Sequence, residues 1–335
     1  MRKKRPYPLC LLLEVILLLL VGTIFSANRA YDPLAIDAKQ KIETLDLTVS
    51  DAARQREIPL RVYLPAEKSR APVLLFSHGL GGSREGNAYL GEHWAKRDYL
   101  VVFLQHAGSD SSIWQRRSTE SGAPPLLEAM GFKNFLLRVG DVTAVLDQLE
   151  QWNILTGHPL AGRLDLKRIG MSGHSYGAIT TQAVSGQAFP EVGQEYTDKR
   201  IKAAIMFSPS SPHRGGDPYQ QFKNVKIPWL LVTGTRDFSP FTLKQDTAVR
   251  LAVYPALPPW GKYELVLFNA EHSAFTDRAL PGDREPRNPN HHRAVLAVST
   301  AFWDAWLRGD PGARSWLNGS GPSTVLEKED RWQKK

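Results

Sequence analysis

From Val73 onward the chain alternates short, wholly apolar runs with longer stretches of helical periodicity. This alternation restricts the fold more than any other feature. Val73–Phe76, Tyr99–Leu104, residues 168–172, Ile201–Phe207, Trp229–Thr233 and Tyr263–Phe268 have the length and the β-branched or aromatic content of strands buried on both faces. Between them, residues 87–96, 132–152, 177–186 and 292–307 read as helices. In the second of these Val139, Val142, Val145, Leu146 and Leu149 fall on one face. Strands that alternate with helices predict an α/β fold, a mostly parallel, doubly wound sheet with right-handed crossovers. Ligands bind such sheets beyond the carboxyl ends of the strands. Ahead of this region, residues 42–49 and 58–64 alternate apolar with polar types and are expected to form an antiparallel pair at a sheet edge.

No linker, fixed-period repeat or low-complexity run divides residues 40–310, so one catalytic domain is expected over residues 31–310, followed by a charged tail at 311–335. The first 30 residues stand apart. Arg2, Lys3, Lys4 and Arg5 precede an apolar run from Leu9 to Phe25 that only Glu14 and Gly22-Thr23 interrupt, the pattern of an export signal or an N-terminal membrane anchor. A run this short with a glutamate inside favours the signal; Phe25, where a cut after Ala27 would want a small residue, keeps the anchor open. Residues 9–25 would then provide any membrane association, and an exported or membrane-anchored location is expected. The leader accounts for +3 of the net charge of +8. The remaining +5 is mild, and with no dense Lys/Arg stripe a nucleic-acid partner is not expected. The single cysteine, Cys10, lies in the leader, so the body has no disulfide, no thiolate metal site and no cysteine nucleophile.

The strand at 168–172 runs into Gly173-His-Ser-Tyr-Gly177, and a helical pattern follows at once. A serine on so sharp a strand-to-helix turn is the nucleophile elbow, with the glycines removing the Cβ atoms that would clash there. The pentapeptide recurs by chance, so its surroundings must carry the inference. On such sheets an acid and then a histidine follow the serine, each on a loop after a late strand. Asp237 follows the Trp229–Thr233 strand, and His272 follows the last strand. Ser175, His272 and Asp237 therefore form a candidate catalytic triad: nucleophile, base and orienting acid. The Val73–Phe76 strand runs into Ser77-His-Gly-Leu-Gly-Gly82, whose glycines allow close backbone approach, and the backbone N–H groups of Leu80 and Tyr176 are the candidate oxyanion hole.

Other residues compete for these roles. His78 and His174 lie near the serine but read as hydrogen-bonded structural residues. His106 is assigned either to the substrate pocket or to a plain loop. Glu271, adjacent to His272, is poorly placed to face it. Asp141 and Asp147 read as solvated or helix-pairing, and His291-His292 as a surface pair too small for a metal site. No metal or other cofactor is implied.

These residues resemble a known family. Leu74-Leu-Phe-Ser-His-Gly-Leu-Gly-Gly82, Asp98-Tyr-Leu-Val-Val102, residues 138–149 and residues 168–178 look like the platelet-activating-factor acetylhydrolase and dienelactone-hydrolase group of α/β-hydrolases, over roughly residues 40–308. The resemblance implies that Ser175 is the nucleophile and that Leu80 and Tyr176 supply the oxyanion hole. The chain departs from it in one respect. The acetylhydrolases carry the acid after the strand that follows the elbow helix, where this chain has Phe207-Ser-Pro-Ser; Asp237 lies one strand later, as in dienelactone hydrolases. Those enzymes use a cysteine nucleophile, so serine here favours ordinary carboxylic esters.

About 18 residues separate Phe207 from Lys226, too few for a large cap domain, so an open site is expected. The segment from His106 to Gly131 is expected to form its rim, with Trp114 as a substrate-binding residue, Met130 part of the rim, and Arg116 and Arg117 either holding an anion or solvated. The substrate class is a short- or medium-chain ester, a lipid ester or a polyester. An acyltransferase or peptidase using the same triad, and a non-catalytic binding protein on this fold, are the alternatives.

Overall fold

The computed structural model describes residues 30–115, 125–211, 217–238, 247–280 and 283–335. The leader up to residue 29, with Cys10, and Arg116 and Arg117 of the rim lie outside the described residues. Asp32–Lys335 form one compact unit.

Nine strands form one sheet: β1 (Glu43–Asp51), β2 (Arg56–Leu64), β3 (Ala71–Ser77), β4 (Leu100–Leu104), β5 (Leu164–His174), β6 (Ile201–Phe207), β7 (Trp229–Arg236), β8 (Lys262–Glu271) and β9 (Arg331–Lys334). Their order is β1-β2-β4-β3-β5-β6-β7-β8-β9. The run from β4 to β8 is parallel throughout. β1, β2 and β9 pair antiparallel at the two edges. The expected hairpin at residues 42–64 is therefore present, with Leu47 opposite Leu60.

Four longer helices cover the sheet: α1 (Ala88–Lys96), α2 (Phe132–Ile154), α3 (Tyr176–Ser185) and α4 (Pro289–Trp303). The pleat of β3 shows why both faces are dry. Val73 and Leu75 pack with Val142, Val145 and Leu146 of α2. Leu74, one residue out of phase, lies on the side of Trp303 of α4, both within reach of a Cβ placed at Gly170. Every residue of β3 and of β4 is buried, as strands covered by helices on both sides require. Between β6 and β7 the described residues contain only one short helical turn, Pro218–Phe222.

The expected charged tail is a correction. Residues 311–335 belong to the same unit as the rest of the sheet. Pro311–Asn318 form a further helix, capped by the side chain of Asp310, and β9 completes the sheet beside β8. A four-residue strand carries no readable period. It is held by contacts specific to its neighbour: Trp332 stacks on Tyr263 at 5.6 Å, and Arg331 and Gln333 both reach the buried Glu264. The strand also covers an edge that would otherwise present unpaired backbone groups.

Candidate active site

β5 ends at His174, and the chain turns on Ser175 directly into α3. Ser175 has φ 57° and ψ −114°, left-handed backbone that an L residue adopts only under strain. Two contacts hold it there. Its N–H donates to the Phe207 carbonyl at the end of β6 at 2.9 Å, and α3 presses on β3 so closely that a Cβ on Gly177 would stand 1.9 Å from the Ser77 carbonyl oxygen. Gly173 is equally confined, its missing Cβ lying 2.3 Å from the Gly177 oxygen.

Because β7 and β8 are neighbours, the loops that follow them meet. Asp237 leaves β7 and His272 begins a 3-10 turn after β8. His272 Nε2 lies 2.8 Å from Ser175 Oγ, and His272 Nδ1 lies 2.7 Å from Asp237 Oδ1. An ionised carboxylate can only accept, so Nδ1 carries the proton and Nε2 is left as the acceptor facing the serine hydroxyl. Asp237 is wholly buried. Burial alone would raise its pKa, but the Arg250 guanidinium 3.5 Å away and the adjacent imidazole outweigh it and hold the carboxyl well below the usual range. Thr233 donates to its second oxygen at 2.8 Å. His174 Nε2 donates to the His272 carbonyl at 3.0 Å and steadies the loop. Burial pushes His174 down to about 3, so it is neutral and structural.

Arg250 is one residue the sequence reading missed. Besides approaching Asp237 it donates to the Ser208 and Pro209 carbonyls at 3.2 and 3.1 Å. It thus ties the segment after β6, where the acetylhydrolase-like chains place their acid, to the aspartate after β7.

The Gly79–Gly82 loop lies against the serine: a Cβ on Gly79 would be 3.4 Å from that of Ser175. Gly81 donates to the Ser109 carbonyl at 2.9 Å and its own carbonyl accepts from Trp114 Nε1 at 2.9 Å, so the residue that follows Leu80 is held at both its N–H and its carbonyl. Tyr176 is the first residue of α3, and its N–H has no acceptor within the helix. Trp114 is 61% exposed, and Leu127, Met130 and Phe132 are exposed beside it on the segment that ends at α2. The Gly131 carbonyl accepts from the Tyr176 hydroxyl at 3.4 Å, which places this apolar rim next to the serine turn.

His106 does not line the site. It is completely buried, with Nδ1 donating to Asp141 Oδ2 and Nε2 accepting from Ser77 Oγ, both at 2.9 Å. Asp141 is corrected with it: far from solvated, it has no exposed surface and takes ion pairs from Arg54 at 3.1 Å and Arg56 at 2.6 Å. Asp147 is exposed and pairs with Arg200. Glu271 accepts the N–H groups of Arg284 and Glu285, engaged away from His272. His291 is buried against the Phe268 carbonyl and so is not the surface residue expected, and the half-buried His292 stacks on Tyr89 at 3.9 Å.

The buried Arg138 was the largest omission. It stands on the apolar stripe of α2, between Phe135 and Val142, where a cation is out of place; that position was the available signal. Among the described residues no group of His, Cys, Asp and Glu side chains could hold a metal ion.

Neither a protein-family model nor a curated protein matches this chain. Among solved structures it is similar to a ferulic acid esterase from Streptomyces cinnamoneus, with a TM-score of 0.58 at 20% sequence identity over 91% of this chain and 100% of that one. The strand order and this likeness together identify the fold as that of the α/β-hydrolases.

Proposed function

We propose that the protein is a serine carboxylester hydrolase. The observation that carries the reading is the unbroken chain from Asp237 through His272 to a serine held in left-handed backbone. Ser175 Oγ attacks the ester carbonyl carbon while His272 Nε2 takes its proton, and Asp237 stabilises the imidazolium. The oxyanion accepts from the N–H groups of Leu80 and Tyr176. Collapse expels the alcohol, which takes the proton from His272, and water then releases the acid from the acyl-serine by the same steps in reverse. The solved esterase of the same fold supports ester hydrolysis as chemistry this scaffold can carry. The apolar rim of Trp114, Leu127, Met130 and Phe132 favours an ester with an apolar acyl or aryl group over a charged one. The Phe76-Ser-His-Gly-Leu-Gly81 loop supports kinship with the acetylhydrolase and dienelactone-hydrolase group, and the basic, then apolar leader supports export.

The test is hydrolysis of p-nitrophenyl esters of increasing acyl length. Ser175→Ala is expected to lose about 10⁴- to 10⁶-fold in kcat. A fluorophosphonate should label Ser175 once per chain. Undiminished hydrolysis in the variant refutes the assignment, and preferred cleavage of an amide or transfer to an added alcohol points to a peptidase or acyltransferase.

A further inference from the structure

Arg138 is completely buried, and its guanidinium donates four hydrogen bonds. Nε donates to Thr180 Oγ1 at 3.0 Å, Nη1 to Ser109 Oγ at 2.9 Å, and Nη2 both to Ser77 Oγ at 2.9 Å and to the His78 carbonyl. The plane also lies 4.7 Å from the centre of the Tyr176 ring. None of these acceptors is a carboxylate. A buried cation without a directly bonded anion is costly, and here burial draws the guanidinium down to about 10. Packing would be served better by a leucine at this position of α2.

The partners explain the choice. Ser77 and His78 lead into the loop that carries Leu80, and Ser109 is the residue whose carbonyl holds Gly81. Thr180 and Tyr176 belong to the first turns of α3, and Thr180 Oγ1 donates to the Tyr176 carbonyl at 3.0 Å. One rigid fork therefore grips both backbone segments that supply the oxyanion donors. Behind it, Ser77 donates to His106 and His106 to Asp141, which fixes the direction of every proton in the chain.

We propose that Arg138 is the positioning residue of the oxyanion hole, setting the distance between the Leu80 and Tyr176 N–H groups through the loop and the helix it clamps. This rests on the esterase reading above. The planar fork is what the site needs: a lysine keeps the charge but cannot reach loop and helix together. Displacing a catalytic group by about 1 Å lowers rate by about 10²-fold.

Arg138→Lys, compared with the wild type on p-nitrophenyl butyrate, is expected to lose about 10²-fold in kcat with KM nearly unchanged. A trifluoromethyl ketone, whose adduct on Ser175 carries an oxyanion, should weaken by the same factor. Circular dichroism reports whether the variant is folded. A folded Arg138→Lys with wild-type kcat, or with kcat lost while the ketone binds as before, overturns the proposal. Should that variant not fold, Thr180→Val removes one arm of the clamp. It is expected to lower kcat and ketone affinity together by about fivefold, a fraction of the effect of losing an oxyanion donor, and unchanged values for both refute the role. A wild type that neither hydrolyses the ester nor takes the fluorophosphonate overturns the esterase reading and this proposal with it; an active wild type beside an unaffected variant overturns this proposal alone.

Discussion

Among the described residues two Ser–His–Asp chains have nearly the same geometry. Ser175, His272 and Asp237 are linked at 2.8 and 2.7 Å; Ser77, His106 and Asp141 are linked at 2.9 and 2.9 Å. Distances between the three side chains do not separate them, and their surroundings do. Ser175 sits on a strained turn beside an apolar rim, whereas Ser77 ends a regular strand with no exposed surface and its oxygen already accepts from Arg138. The acids differ as well. Asp237 answers to one nearby arginine, Asp141 to two. Both carboxyls are held low, each against a burial that would raise it: Asp237 by Arg250 and His272, Asp141 by its hydrogen bonds from His106 and Arg56. A triad becomes a reaction centre only when its serine can be reached and an anion site faces it. The same three groups, enclosed, make a strut.

Replacing each aspartate by asparagine should break this pairing in opposite directions. Asp237→Asn removes the charge that fixes the His272 tautomer, and kcat is expected to fall about 10⁴-fold while the melting curve shifts little. Asp141→Asn leaves Arg54 and Arg56 facing a neutral group and is expected to destabilise the protein by about 3 kcal/mol in urea unfolding. Esterase activity per folded molecule should fall far less than in Asp237→Asn. If Asp141→Asn instead keeps full stability, the enclosed chain is not a strut.

A further effect comes with acid. His78 and His106 of the enclosed region, and His174 behind the triad, are held neutral by burial, His106 at about 4 and His174 at about 3. Their folded values lie below the unfolded value near 6.5, so above that pH neither state takes the proton and stability is level. As pH falls from about 6.5 towards 4 the unfolded chain binds protons that the native state refuses. Each histidine then removes up to about 1.4 kcal/mol per pH unit. Unfolding free energies between pH 8 and pH 4 should be flat and then decline. His106→Asn should decline less steeply, and an identical slope would show that His106 does not carry its share.

Much of this was legible in the sequence because it depends on local pattern. The six parallel strands were visible as apolar runs, and the elbow, the acid and the histidine each follow a strand in the order the fold requires. What escaped was set by long-range pairing. β9 exists because Glu264 and Tyr263 offer it partners some 70 residues away. His106 and Asp141 look like a loop histidine and a helix acid until the fold sets His106 between Ser77 at the end of β3 and Asp141 on α2. Arg138 was missed as well, although a cation on an apolar stripe was a signal that could have been read.

Arg138 joins segments that lie 29, 42 and 61 residues away along the chain. Contacts of such separation form after the local ones, because chain entropy must first be lost in closing the intervening loops. During folding the helices can therefore be complete while the anion-binding loop still wanders. On dilution from denaturant, ester hydrolysis should return more slowly than far-ultraviolet ellipticity, and the reactive serine would then be the last part of the molecule to acquire its chemistry.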